Sequence, residues 1–254
     1  MTRLWDGHRI NNRFRADRRV TKEKRAVRVK ICGITTVEDA VAAAEAGADA
    51  IGLNFVGGPR RIAPEVAQEI LEALPPMVAP VVLARLQAGV LPDDVLGLLG
   101  QYWVSHVQIY GDFTADSLAL LRRDGFRPMP VVRVRDPNFA GQAYEMLGGR
   151  PLDVAAAVVL DTYDSGKAGG TGASFNWEWV SAARQAGLLH GWPVIILAGG
   201  LRLENVAEAV RVARPYGVDV ASGVEVDGQL GRKDPEKMMA FVRAAQSALD
   251  RKGA

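Results

Sequence analysis

The chain of 254 residues carries a single cysteine, Cys32, which closes the short apolar run Val27-Arg-Val-Lys-Ile-Cys32 and is followed at once by Gly33. A lone thiol is commonly a small buried hydrophobe, but a thiol at the end of a strand can also exchange protons. Asp161 ends a second apolar run, Ala155–Leu160. A carboxyl there is either held by hydrogen bonds as a cap or has its pKa raised, as a general acid requires. Arg60 follows the run Ala50–Phe55 and offers a planar fork suited to a substrate carboxylate. Its neighbour Arg61 reads as solvated. Gly199-Gly200 and Ser222-Gly223 end two more runs and leave backbone N–H groups uncovered. Two such turns in succession, beside a short helix N-terminus, predict a phosphate cradle. The loop Asp164–Gly172 is polar and glycine-rich, and its Gly170, Thr171 and Gly172 have the composition of a lid. It is not a Walker loop, because Asp161 stands where the first glycine belongs. Asp219 lies inside its run Val218–Ala221 and is expected to be a structural carboxylate, paired or capped.

The three histidines, His8, His106 and His190, are far apart, so the sequence predicts neither a metal site nor a histidine-activated nucleophile. A thiol and a carboxyl without either suit proton transfer. A thiol with a reference pKa of about 8.5 then needs positive charge or dipoles nearby to act as a base at neutral pH.

The elements that must position these groups repeat eight times from Val27 onward, as a short β-branched run, a turn and an amphipathic stretch. Strands are expected at Val27–Cys32, Ala50–Phe55, Val78–Leu83, His106–Ile109, Pro130–Val134, Ala155–Leu160, Val194–Ala198 and Val218–Ala221. Helices follow at Val37–Ala46, Pro64–Leu74, Asp93–Leu99, Ala115–Arg123, Pro137–Leu147, Trp177–Gln185, Glu204–Val212 and Pro235–Ala248. Continuous apolar strands alternating with helices require a parallel sheet covered by helices, and eight units make a single (β/α)8 TIM barrel. An open doubly wound sheet would carry a glycine-rich dinucleotide fingerprint after its first strand, and Cys32-Gly33-Ile34-Thr35 is not one. In such a barrel the C-terminal strand ends hold the active site, which is where Cys32, Arg60, Asp161 and both glycine turns fall.

Apolar residues at 48% and charged residues at 24% suit a soluble globular enzyme, and one cysteine excludes an internal disulfide. No apolar run approaches the roughly 18 residues that span a bilayer, and no secretory signal is visible, so a cytoplasmic location without membrane association is expected. Residues 1–26 hold nine Arg or Lys against three Asp or Glu, which leaves the remaining residues net acidic within a total of +2. That arm lacks both the aromatic interleaving of a nucleic-acid platform and the apolar face of a membrane helix. It is expected to be a disordered extension that binds no nucleic acid, lying upstream of a catalytic barrel at 27–254.

Six separated motifs across residues 27–248 resemble the phosphoribosylanthranilate isomerases of tryptophan biosynthesis. They are Lys30-Ile-Cys-Gly-Ile-Thr35, Gly47-Ala-Asp-Ala-Ile-Gly52, Pro59-Arg60 ahead of Ile62, Leu160-Asp161 with Gly169-Gly-Thr-Gly172 and Phe175-Asn-Trp177, Leu197-Ala-Gly-Gly-Leu201 with Glu204-Asn-Val206, and Val218-Asp-Val-Ala-Ser-Gly-Val-Glu225. The resemblance implies an Amadori rearrangement of a small phosphorylated substrate with no cofactor. Asp161 would protonate the furanose ring oxygen and Cys32 would remove the proton from C2. Arg60 would hold the anthranilate carboxylate, and the turns at Gly199, Gly200, Ser222 and Gly223 the phosphate. The sequence departs from the family at Val82-Leu-Ala-Arg85, at Tyr110 for the usual histidine, at Asn176 for aspartate, at Leu203 for proline and in the short loop at Gly57-Gly58. Two alternatives are a histidine-pathway or dual-substrate isomerase and a non-catalytic phosphosugar-binding barrel. The first uses an aspartate where Cys32 stands, and the intact Cys32, Asp161 and Arg60 set speaks against the second. Monomer and homodimer both fit.

Overall fold

In the computed structural model, which describes residues 26–150, 152–162 and 174–250, eight parallel strands close on one another in chain order. They are β1 (Arg28–Cys32), β2 (Ala50–Asn54), β3 (Ala79–Arg85), β4 (His106–Tyr110), β5 (Arg127–Val134), β6 (Ala157–Thr162), β7 (Val194–Leu197) and β8 (Gly217–Val220). The helices between and after them are α1 (Val37–Glu45), α2 (Pro64–Ala73), α3 (Asp93–Gln101), α4 (Ala115–Arg123), α5 (Phe139–Met146), α6 (Glu178–Gln185), α7 (Leu203–Ala213) and α8 (Pro235–Ser247). The basic arm, apart from Ala26, and the lid residues Gly170, Thr171 and Gly172 lie outside the described residues.

The strands read as unbroken apolar runs because both of their faces are buried. Outward residues such as Val29, Ile31, Leu160 and Val218 pack under the helices in one large core. Inward residues Val81, Met129, Val131, Ala157, Val159 and Ala198 form a second, smaller core inside the barrel. Local chemistry starts the helices where the sequence suggests. The Thr36 hydroxyl accepts from the Asp39 N–H at 3.1 Å, Thr114 and Ser117 form a capping box, and Pro64 and Pro235 occupy first-turn positions.

Two strand boundaries differ from expectation in ways that matter for the site. β5 begins at Arg127 and contains Pro128 and Pro130. The Arg127 N–H bonds Ser105 on the β4 side, whereas the Pro128 carbonyl accepts from Ala156 on the other. Residues one apart alternate sides, so both prolines turn their missing N–H toward β6, ahead of Val131 where the β5–β6 ladder begins. β6 runs on through Asp161 and Thr162, so Asp161 sits in the ladder opposite Arg133 and not in the loop beyond it. Among the described residues no helix is long and apolar enough to cross a membrane.

Candidate active site

On β1 the strand period turns Lys30 and Cys32 into the barrel, while Val29 and Ile31 face the helices. Register places Cys32 beside Gly52 and Lys30 beside Asp219. Lys30 Nζ donates to Asp219 Oδ1 at 2.9 Å, and each side chain is only 5% exposed. Asp219 is therefore a paired carboxylate, as expected, but its pair lies directly under the thiol. A Cβ at Gly52 would sit 2.8 Å from Cys32 Sγ and 3.0 Å from Lys30 Nζ. Only glycine leaves the room in which the sulfur and the ammonium meet. Burial pushes the Cys32 thiol up and Asp219 adds to that; the charge and hydrogen bond of Lys30, with Lys233, pull the other way without reversing it.

Arg60 lies across the Cys32-Gly33 turn. Gly33 has φ +71°, and a Cβ there would come within 2.5 Å of Arg60 Cδ. Arg60 Nε and Nη2 donate to Glu225 Oε1 and Oε2 at 2.6 and 2.8 Å. Lys233 Nζ, whose side chain is fully buried, donates to Glu225 Oε1 and to the Ala221 carbonyl, both at 3.0 Å. Burial alone would raise the Glu225 carboxyl, but Arg60 and Lys233 outweigh it and hold it below the usual carboxylate range. One edge of the Arg60 fork is thus already committed within the protein. A guanidinium carries five N–H groups, so Nη1 and the second Nη2 hydrogen form another edge for a ligand carboxylate. Neither the Glu225 clamp nor Lys233 is visible from spacing, since Glu225 lies 165 residues from Arg60.

Asp161, 7% exposed, has Arg133 Nη1 at 3.3 Å from Oδ2. The same Nη1 donates to the Thr162 carbonyl at 3.0 Å, and the Arg133 guanidinium lies over the Tyr110 ring at 5.7 Å. Gln108 Nε2 in turn donates to Tyr110 Oη at 3.1 Å. Burial raises the Asp161 carboxyl, Arg133 opposes that, and Asp219 adds to it; the balance is a raised pKa. Burial also pushes the Tyr110 phenol well above its usual value, and the charges of Asp161, Cys32 and Asp219 reinforce it. Cys32 and Asp161 therefore face the same inner groups from opposite parts of the barrel. Arg133 escaped the sequence reading because it sits within an apolar strand; its signal is a charge at an inward position near the strand's C-terminal end.

The two glycine turns form one ridge. Gly199 and Gly200 have φ of +83° and +62°, and a Cβ at Gly199 would run into the Thr162 hydroxyl and backbone N at the end of β6. Arg202 bridges to Gly223, joining the β7 turn to the β8 turn. Asn205 fixes the ridge, donating to the Gly200 carbonyl and accepting from the Arg202 N–H, both at 2.9 Å. Ser222 contributes its carbonyl to the Glu225 N–H at 3.2 Å. The short helix expected beside this ridge is absent among the described residues between β8 and α8, and Asp234 already caps α8. The helix N-terminus next to the turns is that of α7. Gly199→Ala is expected to cost about 1–3 kcal/mol, because the alanine would be strained at a positive φ and its Cβ would overlap Thr162; urea unfolding of the variant beside the wild type measures it.

Two departures from the resemblance have local explanations. Asn176 Oδ1 accepts from the Glu178 N–H at 3.0 Å, an Asx turn just ahead of α6 that an aspartate would make as well. Leu203 is the first residue of α7, where a proline would lose no helical hydrogen bond and a leucine is tolerated.

Residues 29–244 match the family model described as N-(5'phosphoribosyl)anthranilate (PRA) isomerase. The N-(5'-phosphoribosyl)anthranilate isomerase of Geobacter sp. (strain M21) is 43% identical over 223 residues, which is 86% of this chain and 98% of that protein. The crystal structure of phosphoribosyl anthranilate isomerase from Thermotoga maritima is 30% identical with a TM-score of 0.72, covering 87% of this chain and 99% of that one. A crystal structure of phosphoribosyl anthranilate isomerase in complex with reduced 1-(o-carboxyphenylamino)-1-deoxyribulose 5-phosphate is 29% identical, with a TM-score of 0.69 and the same coverage.

Proposed function

The chain belongs to the N-(5'-phosphoribosyl)anthranilate isomerase family, and we propose that it performs that family's reaction with Asp161 as general acid and Cys32 as general base. The reaction converts N-(5'-phosphoribosyl)anthranilate to 1-(2-carboxyphenylamino)-1-deoxyribulose 5-phosphate in tryptophan biosynthesis. What supports the role assignment is one juxtaposition: a thiol and a carboxyl, both buried at C-terminal strand ends, each feel the charges of the same Lys30–Asp219 pair.

The chemistry needs two proton transfers in sequence. Asp161 gives its proton to the furanose ring oxygen as the C1–O bond breaks, and the anthranilate nitrogen lone pair forms the protonated Schiff base. The Cys32 thiolate then takes the proton from C2. The C2–H electron pair becomes the C1–C2 double bond of an enolamine, and the C=N pair returns to nitrogen. Tautomerisation moves a proton from the C2 hydroxyl to C1 and leaves the ketone, with no net change in protons or electrons. Each transfer by a positioned group is worth about 10²–10⁴-fold.

Arg60, through its free edge, is the residue proposed to grip the anthranilate carboxylate, and the ridge at Gly199, Gly200, Ser222 and Gly223 is proposed to bind the phosphate. A bidentate charged hydrogen bond contributes about 1.5–3 kcal/mol. Arg60→Lys is therefore expected to raise KM about tenfold or more while kcat changes little, because the grip is the same in ground and transition states. Loss of substrate fluorescence with freshly made phosphoribosylanthranilate measures both constants. Absence of turnover in the unaltered protein would overturn the functional reading itself.

A further inference from the structure

We propose that the buried Lys30–Asp219 pair is a positioning device for the base, in which the Lys30 ammonium, set beside the Cys32 sulfur, eases its conversion to the thiolate against the cost of burial and Asp219 moderates that ammonium's pull. The proposal rests on the reading of Cys32 as the base.

The pair stands where an apolar filling would serve packing as well. Other inward positions of the barrel carry Val81, Met129, Val131 and Val159, and a buried ion pair commonly stabilises no more than apolar residues of the same volume. Its position relative to the sulfur is specific. Lys30 and Cys32 are two apart on one strand and point the same way, and sulfur and ammonium both lie within 3.0 Å of the point above Gly52. An ammonium has three hydrogens, of which one goes to Asp219 Oδ1.

The other charged and titratable groups around the sulfur are differently committed. From the loop after β2, Arg60 is forked onto Glu225, and from the loop after β8, Lys233 shares the same carboxylate. Tyr110 from β4 is a neutral phenol, and Asp161 from β6 is engaged with Arg133. Lys30 is the cation with the largest pull on the thiol, through both its charge and a hydrogen bond, with Asp219 as the opposing charge from β8. Lys30 stays protonated throughout: it transfers nothing, and Sγ alone takes the C2 proton.

The test uses the fact that the chain has one cysteine, so the far-ultraviolet thiolate absorbance of the full-length protein, with Cys32→Ala as the blank, titrates that sulfur alone. Lys30→Met is expected to move the titration up by about 1 pH unit or more, and Asp219→Asn to move it down by a similar amount. A base works deprotonated, so its pKa sets the acid limb of kcat/KM, and that limb is expected to follow each shift. Lys30→Arg keeps the charge and is expected to keep the limb near its original pH. Should Lys30→Met fail to fold, the shifts in Asp219→Asn and Lys30→Arg carry the decision. Titrations that stay in place, or that move in the same direction in Lys30→Met and Asp219→Asn, overturn the proposal. Undiminished turnover in Cys32→Ala would instead remove the base assignment, while the titrations would still report the pair's effect on the thiol.

Discussion

Cys32→Ala is expected to lower kcat at least about 100-fold while leaving KM close to its original value. Among the described residues around the sulfur, no other group takes the C2 proton in its place. Lys30, Arg60, Lys233 and Arg133 are cations, and Asp219 is tied to Lys30 at 2.9 Å. The Tyr110 phenol, pushed well above its ordinary pKa by burial and nearby carboxylates, keeps its proton at neutral pH. Cys32→Ser is expected to lose as much as Cys32→Ala, because a hydroxyl has far too high a pKa to act as the base. Removing one buried sulfur also costs some stability, which slows no chemical step in the molecules that stay folded. Substrate fluorescence loss followed beside urea unfolding separates the two, and a Cys32→Ala variant that turns over at the original rate removes the base from this position.

The repeating architecture was legible because its cause is local and recurs eight times. A parallel strand buried on both faces must be apolar throughout, and the helix that covers it must be amphipathic. Cys32, Asp161 and both glycine turns were legible for the same reason, as chemical residues at the ends of apolar runs. What stayed hidden are the partners that close the site. Lys30 and Asp219 are 189 residues apart, and only the closing of β1 on β8 sets them side by side. Arg60 reads as a free fork until Glu225, from the far end of the chain, occupies one of its edges. Strand parity held part of the missing information: Lys30 precedes Cys32 by two and must share its face, as Arg133 must share an inward face with Val131 and Met129. β5 begins at Arg127 and not at Pro130, three residues before the expected start, and the harmless orientation of its two prolines depends on where the neighbouring ladder begins.

Asp161→Asn is expected to reduce kcat at least about 100-fold, by a route distinguishable from loss of the base. Asparagine keeps the shape of the side chain and an oxygen for Arg133, so the β5–β6 ladder and the position of the guanidinium over Tyr110 should persist. What disappears is a proton that can be given up. In the parent protein burial raises the Asp161 carboxyl and Asp219 reinforces the rise against Arg133, which favours the acid form needed when the ring oxygen takes on charge. An amide offers a hydrogen bond to that oxygen but no transferable proton, so ring opening becomes the slow step. Removal of the C2 proton comes after it. Substrate carrying deuterium at C2 of the sugar should therefore react with Asp161→Asn at the same rate as ordinary substrate. A full isotope effect in that variant would show that C–H cleavage still limits the rate, and would move the acid of ring opening to a different residue.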